Sequence, residues 1–473
     1  MFDRKNIALS TLESSQTEEE GRKSHGHIAD GSAVSESPLR GDPPVRNLKS
    51  VSWFFVVSSL LAALFLFALD NTIVANVQEN IIYTLGGIEK LPWISVAFAL
   101  GAVATNLFCL GPIIGGAFTD SSATWRWSFY INLCIGGVAA PVYAFLLPAA
   151  DPRRGQGFGL RMKSLDLIGA VLSAGAITTL VMAISFGGSV YAWDSGQIIG
   201  LFVTTGVLWI AFILQQRFAL LTTPENRLFP ASLMKSWEID ILFAQMASAQ
   251  VIVTVPVYFI PLYFQFAEDA SAMRSGVQLL PFVLPLVFAV MLNGSMMAQV
   301  GYYMPWYLVG SALALVGSAL LYTIDAETSD ARIYGYSVLT AFGVGMFSQA
   351  GFAIAQVKAA PKQLAQAVAF IGIGQVGGIT LALTMANSIF LNESTDKIAK
   401  VLPDMSRSAV QEAVSGFGAG FFESLTSEQR QRVLAAIIES IDKTFIMVIT
   451  ACALSLVLSV FMKREKLFVV LKQ

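Results

Sequence analysis

The chain has 473 residues, 55% hydrophobic and only 13% charged, with a formal net charge of −2 and a mean hydropathy of +0.63. Soluble domains carry roughly a quarter charged residues, so an ordinary soluble globular protein is excluded. The near-neutral balance says nothing about nucleic acid, because the charges are confined to loops and tails; no nucleic-acid partner is expected.

Residues 1–48 are polar and rich in Ser, Glu, Gly and Arg, the composition of a disordered cytoplasmic tail. Long charge-free stretches then follow, from Lys49 to Asp70, Lys90 to Asp120, Arg126 to Asp151 and onward to Lys443–Lys463. An apolar helix needs about 20 residues to cross a bilayer. Spans are therefore expected at 51–77, 91–118, 129–149, 166–188, 197–214, 241–265, 276–298, 305–324, 333–356, 364–390 and 444–462. The fold class is all-α, a polytopic transmembrane bundle of about eleven spans. Segment 391–443 is too polar to cross; it is expected as an extracellular loop. Within it Thr426 and Gln429 resemble a capping box, and Leu434, Ile437, Ile438 and Ile441 form a helical stripe, so an amphipathic helix is expected to lie on the outer surface. Asn392-Glu-Ser394 fits a glycosylation sequon.

Lys and Arg collect on the cytoplasmic side of membrane proteins. The basic loops at 151–163, 215–238 and 358–363 and the C-terminal tail fall on one side, two or four spans apart. The N-terminal tail, with Arg40, Arg46 and Lys49, also reads as cytoplasmic, yet an odd number of spans separates it from 151–163. The only histidines, His25 and His27, lie in that tail, which leaves no imidazole for a site within the membrane; neither metal nor cofactor is expected.

Asp70 is the one acidic residue well inside an apolar run. A carboxylate there costs about 2.5–3.5 kcal/mol on insertion scales, so such residues usually face a polar cavity. Two roles are open: a proton carrier facing that cavity, or a headgroup-level helix cap alongside Asn71 and Thr72. Uncharged polar residues inside spans are the substrate-cavity candidates: Asn71, Gln245, Gln250, Tyr258, Tyr263, Asn293, Gln349, Gln356 and Gln375. A cavity for bulky amphipathic molecules needs mostly apolar walls and a few hydrogen-bonding groups. Gly111, Pro112, Gly115 and Gly116 combine a Gly-x-x-x-Gly pair with a proline kink, a pattern that lets helices approach closely.

Four strings in order, Leu69–Val77 (LDNTIVANV), Leu110–Asp120 (LGPIIGGAFTD), Trp125–Gly137 (WRWSFYINLCIGG) and Leu165–Leu172 (LDLIGAVL), resemble the fourteen-span drug:proton antiporter branch of the major facilitator superfamily, particularly its fungal efflux pumps. The resemblance covers roughly residues 50–473. It implies export of toxins, secondary metabolites or drugs in exchange for protons, with Asp70 as the coupling acid and Gly111–Gly116 as the antiporter motif between the two halves. It also implies that Phe108–Leu110 joins the start of the second span to the end of the fifth, a net loss of three spans that repairs the odd count. On this mapping 49–150 is an incomplete first half, 151–238 holds two linker spans with basic loops, and 239–473 is the second half. The expected partners are a small-molecule substrate, protons and the lipid bilayer, and the working unit is a monomer in the cell membrane, with vacuolar or vesicle membranes as alternatives. The competing function is a non-transporting truncated isoform or the product of a damaged transporter gene. An enzyme is not expected.

Overall fold

A computed structural model of the chain describes residues 116–121, scattered positions between 127 and 141, 166–223, 227–229, 236–359, 363–405, 410–411 and 425–466. The tail 1–48, the expected span 51–77 and most of 91–118 and 129–149 lie outside these residues, as do Asp70, Asn71, Gly111, Pro112 and Gly115.

The first two helices form an antiparallel pair. Helix α1 (Leu167–Phe186) starts at Asp166, whose carboxylate accepts the Gly169 N–H at 2.8 Å. Helix α2 (Gly196–Phe218) starts at Ser195 and ends at Ala219 in the left-handed conformation. Thr205 donates to Thr179 at 2.9 Å between them. Only 22% and 17% of their apolar windows are buried, against 61% for the next helix. Such exposure is untenable in water; in a bilayer lipid covers it. The pair therefore sits at the periphery.

Helix α3 (Trp237–Glu268) supplies the interior, burying Leu242, Ile252, Phe259 and Phe264 to 1% or less. The expected span 276–298 is α5 (Leu280–Val300), and its first residues belong to a separate short helix, α4 (Ala272–Gln278). The cause is Pro281, which has no N–H to donate back and fits the first turn of a new helix. Helix α6 (Met304–Leu321) follows, then α7 (Asp330–Gly345) and α8 (Ala350–Lys358), which with the turn between them make one segment of spanning length, Asp330–Ala355, at the expected span 333–356. In the turn between them the Phe347 ring is fully buried, 5.3 Å from the Tyr307 ring.

Helices α6 and α7 meet through glycine. A Cβ on Gly343 would lie 2.4 Å from the Ala314 nitrogen and 2.6 Å from the Gly310 carbonyl. Gly343→Leu is expected to destabilise the purified protein by about 1–3 kcal/mol, the ordinary cost of overpacking. Gly335→Leu on the same helix, where an added Cβ meets nothing within 4 Å, serves as the neutral control. Equal thermal midpoints for the two variants would remove the seam from the account.

The last two helices correct the sequence expectation for 391–443. Helix α9 (Leu364–Val401) runs on past residue 390, and α10 (Ser427–Val460) passes Lys443 without a break. The capping box is present, with Thr426 and Gln429 each bonded to the other's backbone. The helix it opens is continuous with the last span and therefore does not lie flat on a membrane surface. Its buried face, Val433, Ile437, Ile438 and Ile441, joins one cluster with Ile398, Leu402 and Val410. At 1.5 Å per residue both helices exceed the roughly 30 Å of hydrocarbon. They continue beyond it, and the packed faces of these extensions belong to the same core as the spans. Among the described residues eight helical segments are long and apolar enough to span a bilayer.

Candidate functional site

The polar candidates divide into those tied to the fold and those left free. Gln245 is tied: its amide donates to the Ser455 carbonyl at 2.8 Å and its oxygen accepts the Ser455 hydroxyl, which fastens α3 to α10. Tyr263 is tied too, donating to the Asp325 carbonyl at 2.7 Å. Gln250, five residues on from Gln245, is buried to 5% exposure and has only a soft 3.8 Å contact with the Met246 sulfur. Asn293 on α5 is buried with its amide nitrogen unpartnered. Tyr258 is buried with its hydroxyl facing Asn387 of α9 without a well-formed bond. Gln375 on α9 is buried, and Gln349 in the α7–α8 turn is half-buried; neither makes a hydrogen bond among the described residues. The structure brings Tyr258 and Asn387 together, and no hydrogen bond joins Gln250, Asn293, Gln349 and Gln375 to one another. The Gln356 side chain lies outside what is described.

Two charged nodes carry contacts that residue counting alone did not single out. At the basic end, Lys358 closes α8 with its ammonium on both Glu238 and Glu465 and 5.3 Å from the centre of the Tyr303 ring. Lys463 adds a second cation to Glu238 at 2.8 Å. Burial alone would lower the Lys358 pKa, but the two carboxylates hold it above the ordinary lysine value. Lysine is charged throughout the physiological range, so the node is a fixed tie between α3, α8 and the segment after α10. Asp166 is the other node: it accepts from Gly169 N, Gln215 Nε2 (2.9 Å), Gln216 Nε2 (2.6 Å) and Leu228 N (3.1 Å). Burial pushes its pKa up, but these bonds outweigh it and keep the group ionised below the usual carboxylate range.

Comparison with curated proteins places this arrangement. The chain is 42% identical over 507 aligned residues to the MFS-type transporter pgmG of Aspergillus terreus, with 90% of each chain covered. It is 39% identical to the efflux pump alnA of Emericella nidulans, covering 90% of this chain and 92% of that protein. This chain belongs to the MFS-type transporters. A third relative, the phomenoic acid biosynthesis cluster MFS-type transporter of Leptosphaeria maculans, is 35% identical over 94% of this chain and 86% of its own length. No protein-family model matches the chain. Among solved structures, a bacterial homolog of the human lysosomal transporter Spinster aligns with 87% of this chain and 98% of its own at 13% identity; its TM-score of 0.46 is too low to bear on the argument.

The described end of the glycine motif lies against the start of α4. A Cβ on Gly116 would sit 2.6 Å from the backbone of Ala272 and Met273, and Asp120 accepts the Met273 N–H at 3.0 Å. Asn392 is half-buried; its amide donates to Gly187 O at 3.1 Å and Ser388 O at 2.8 Å. Gly188 holds φ +73 there, and a side chain at that position would collide with the Asn392 amide. An N-linked glycan on Asn392 would have to displace both contacts, so the sequon residue fastens the linker pair to α9.

Proposed function

We propose that this transporter exports a small amphipathic molecule in exchange for protons, working as a single chain in the cell membrane. The observation that carries the reading is the group of buried side chains left without firm partners, Gln250, Tyr258, Asn293 and Gln375, in an interior where other buried polar groups, such as Gln245, are tied to the fold. A polar group buried without a partner costs free energy, and a substrate carrying a few hydrogen-bonding groups supplies what is missing. The relatives' names, an efflux pump and a transporter of a biosynthesis cluster, support cargo of the toxin or secondary-metabolite kind. Asp70 is the proposed proton carrier, Asn71 a proposed cargo contact, and Gly111, Pro112, Gly115 and Gly116 the proposed antiporter motif. Asp70→Asn is expected to abolish uphill export while leaving the yield of folded protein unchanged. Export at the parental rate would remove the assignment.

The proposal includes an internal gap of three spans at Phe108–Leu110. Its support is that the 507-residue alignment with pgmG is longer than this whole 473-residue chain, so the relative carries a substantial insert opposite gaps here. The same observation favours the second reading, a product that no longer transports. Export by the chain as it stands separates the two.

A further inference from the structure

Asp442 of α10 carries a carboxyl group that no neighbour engages. The residue is half-buried, its Oδ1 is sealed from solvent, and among the described residues no hydrogen bond or ion pair reaches it. It lies just before the expected span 444–462, at the end of α10 away from Lys463. Ile438 and Phe445, one turn to either side on the same face, are buried to 2% or less.

The groups that could partner it are taken. Lys397 of α9 is paired with Glu439 at 2.9 Å and lies 3.8 Å from Glu393 on its own helix. Lys443 donates to the Tyr322 hydroxyl at 3.3 Å and lies 5.6 Å from the centre of that ring. Tyr263 of α3, which is within reach of the Asp442 charge, donates to the Asp325 carbonyl. The remaining charges that act on Asp442 are of its own sign: Glu439 one turn earlier on α10 and Asp325 in the segment after α6. A carboxylate buried without a donor and beside like charges is disfavoured relative to its acid. The neutral acid forfeits far less on burial than the ion. Two carboxyl groups of α10, Glu439 and Asp442, thus stand by one ammonium of α9, and Glu439 has it.

We propose that Asp442 is a proton-binding site, filled in this arrangement, and that loss of the proton sets it against Glu439 for Lys397 and so controls the joint between α9 and α10. The proton is exchanged with the water that the half-buried side chain reaches, and no other covalent bond changes. The site is distinct from Asp70, and it stands whether or not the chain exports anything. Infrared spectra of the full chain in phosphatidylcholine vesicles test it, because a protonated carboxyl has a C=O stretch that a carboxylate lacks. An ordinary aspartate is more than about 99% ionised at about pH 7. In the difference between the chain and its Asp442→Asn variant at that pH, a protonated-carboxyl band is expected, and it should fall several-fold by about pH 10. Lys397→Gln removes the opposing cation and is expected to move the titration midpoint up by about one pH unit. Glu439→Gln removes a like charge and frees Lys397, so it is expected to move the midpoint down by about as much. These opposite shifts assign the band even if Asp442→Asn folds poorly. No such band at about pH 7, or a midpoint that the two charge variants leave in place or move in the same direction, overturns the proposal.

Discussion

Asp166→Ala is expected to cost the purified transporter about 3–5 kcal/mol and to separate the linker pair from the segment at 227–229. The carboxylate accepts four hydrogen bonds in a buried position, two from backbone N–H groups and two from glutamine side chains. Each donor orphaned by its removal loses roughly 1–3 kcal/mol when water does not replace the bond. Asp166→Asn keeps the volume but turns an amide N–H donor toward two of these donors, so it is expected to fall closer to alanine than to wild type. The folded pKa is depressed, so this stabilisation is present above the unfolded carboxylate value and is lost only as pH falls through the folded one. The deficit of the Asn variant should therefore be constant from about pH 6 to about pH 8 and shrink only in strong acid. Thermal unfolding in detergent across that range checks both statements. A midpoint as mildly changed as that of a substitution at the exposed Asp194 would contradict them.

Lys358→Met is expected to be nearly as damaging, at about 2–4 kcal/mol, because it removes the cation shared by two carboxylates at a largely buried position and leaves Glu238 with Lys463 alone. The Lys358 side chain is 9% exposed and Glu238 14%, so solvent screens the pair poorly; Glu465, at 43%, contributes less. Glu238→Gln removes the other side of the pair and leaves Lys463 without its partner. A double-mutant cycle between Lys358→Met and Glu238→Gln should give a coupling of about 1–3 kcal/mol, the range for residues in one ion-pair network. Additivity within about 0.5 kcal/mol would show that the charges are screened and that the tie between α3 and α8 is made by packing alone.

Which parts of this architecture can be read in the sequence depends on what hydropathy responds to. Gaps between charges locate a span well where polar residues flank it, as at 166–188 against Leu167–Phe186 and 305–324 against Met304–Leu321. They are blind to a turn inside the membrane, because the α7–α8 turn at 346–349 (Met-Phe-Ser-Gln) carries no charge. The α4–α5 break had a visible marker in Pro281. Hydropathy also ends a helix too early when charges are paired along it. Glu393 and Lys443 bound the apolar runs, yet just beyond them Lys397 bridges α9 to Glu439 of α10 at 2.9 Å, and both helices continue past these residues. Within the candidate site the difficulty is rotational. Gln245 and Gln250 look alike in sequence, but five residues turn a helix by about 140°. One therefore reaches Ser455 of α10 while the other is left with a methionine sulfur. Asp166 was visible only as part of a motif; its partners lie 49, 50 and 62 residues away, a separation no local pattern encodes.

The claim that matters most is that this chain moves an amphipathic solute uphill at the expense of a proton gradient. Inside-out vesicles containing the 473-residue chain, acidified within and supplied with a fluorescent amphipathic dye, measure it directly. The account predicts dye accumulation that collapses on addition of a protonophore and is absent from Asp70→Asn vesicles. No accumulation by this chain, alongside strong accumulation by a version with the three spans restored between Phe108 and Leu110, would contradict it.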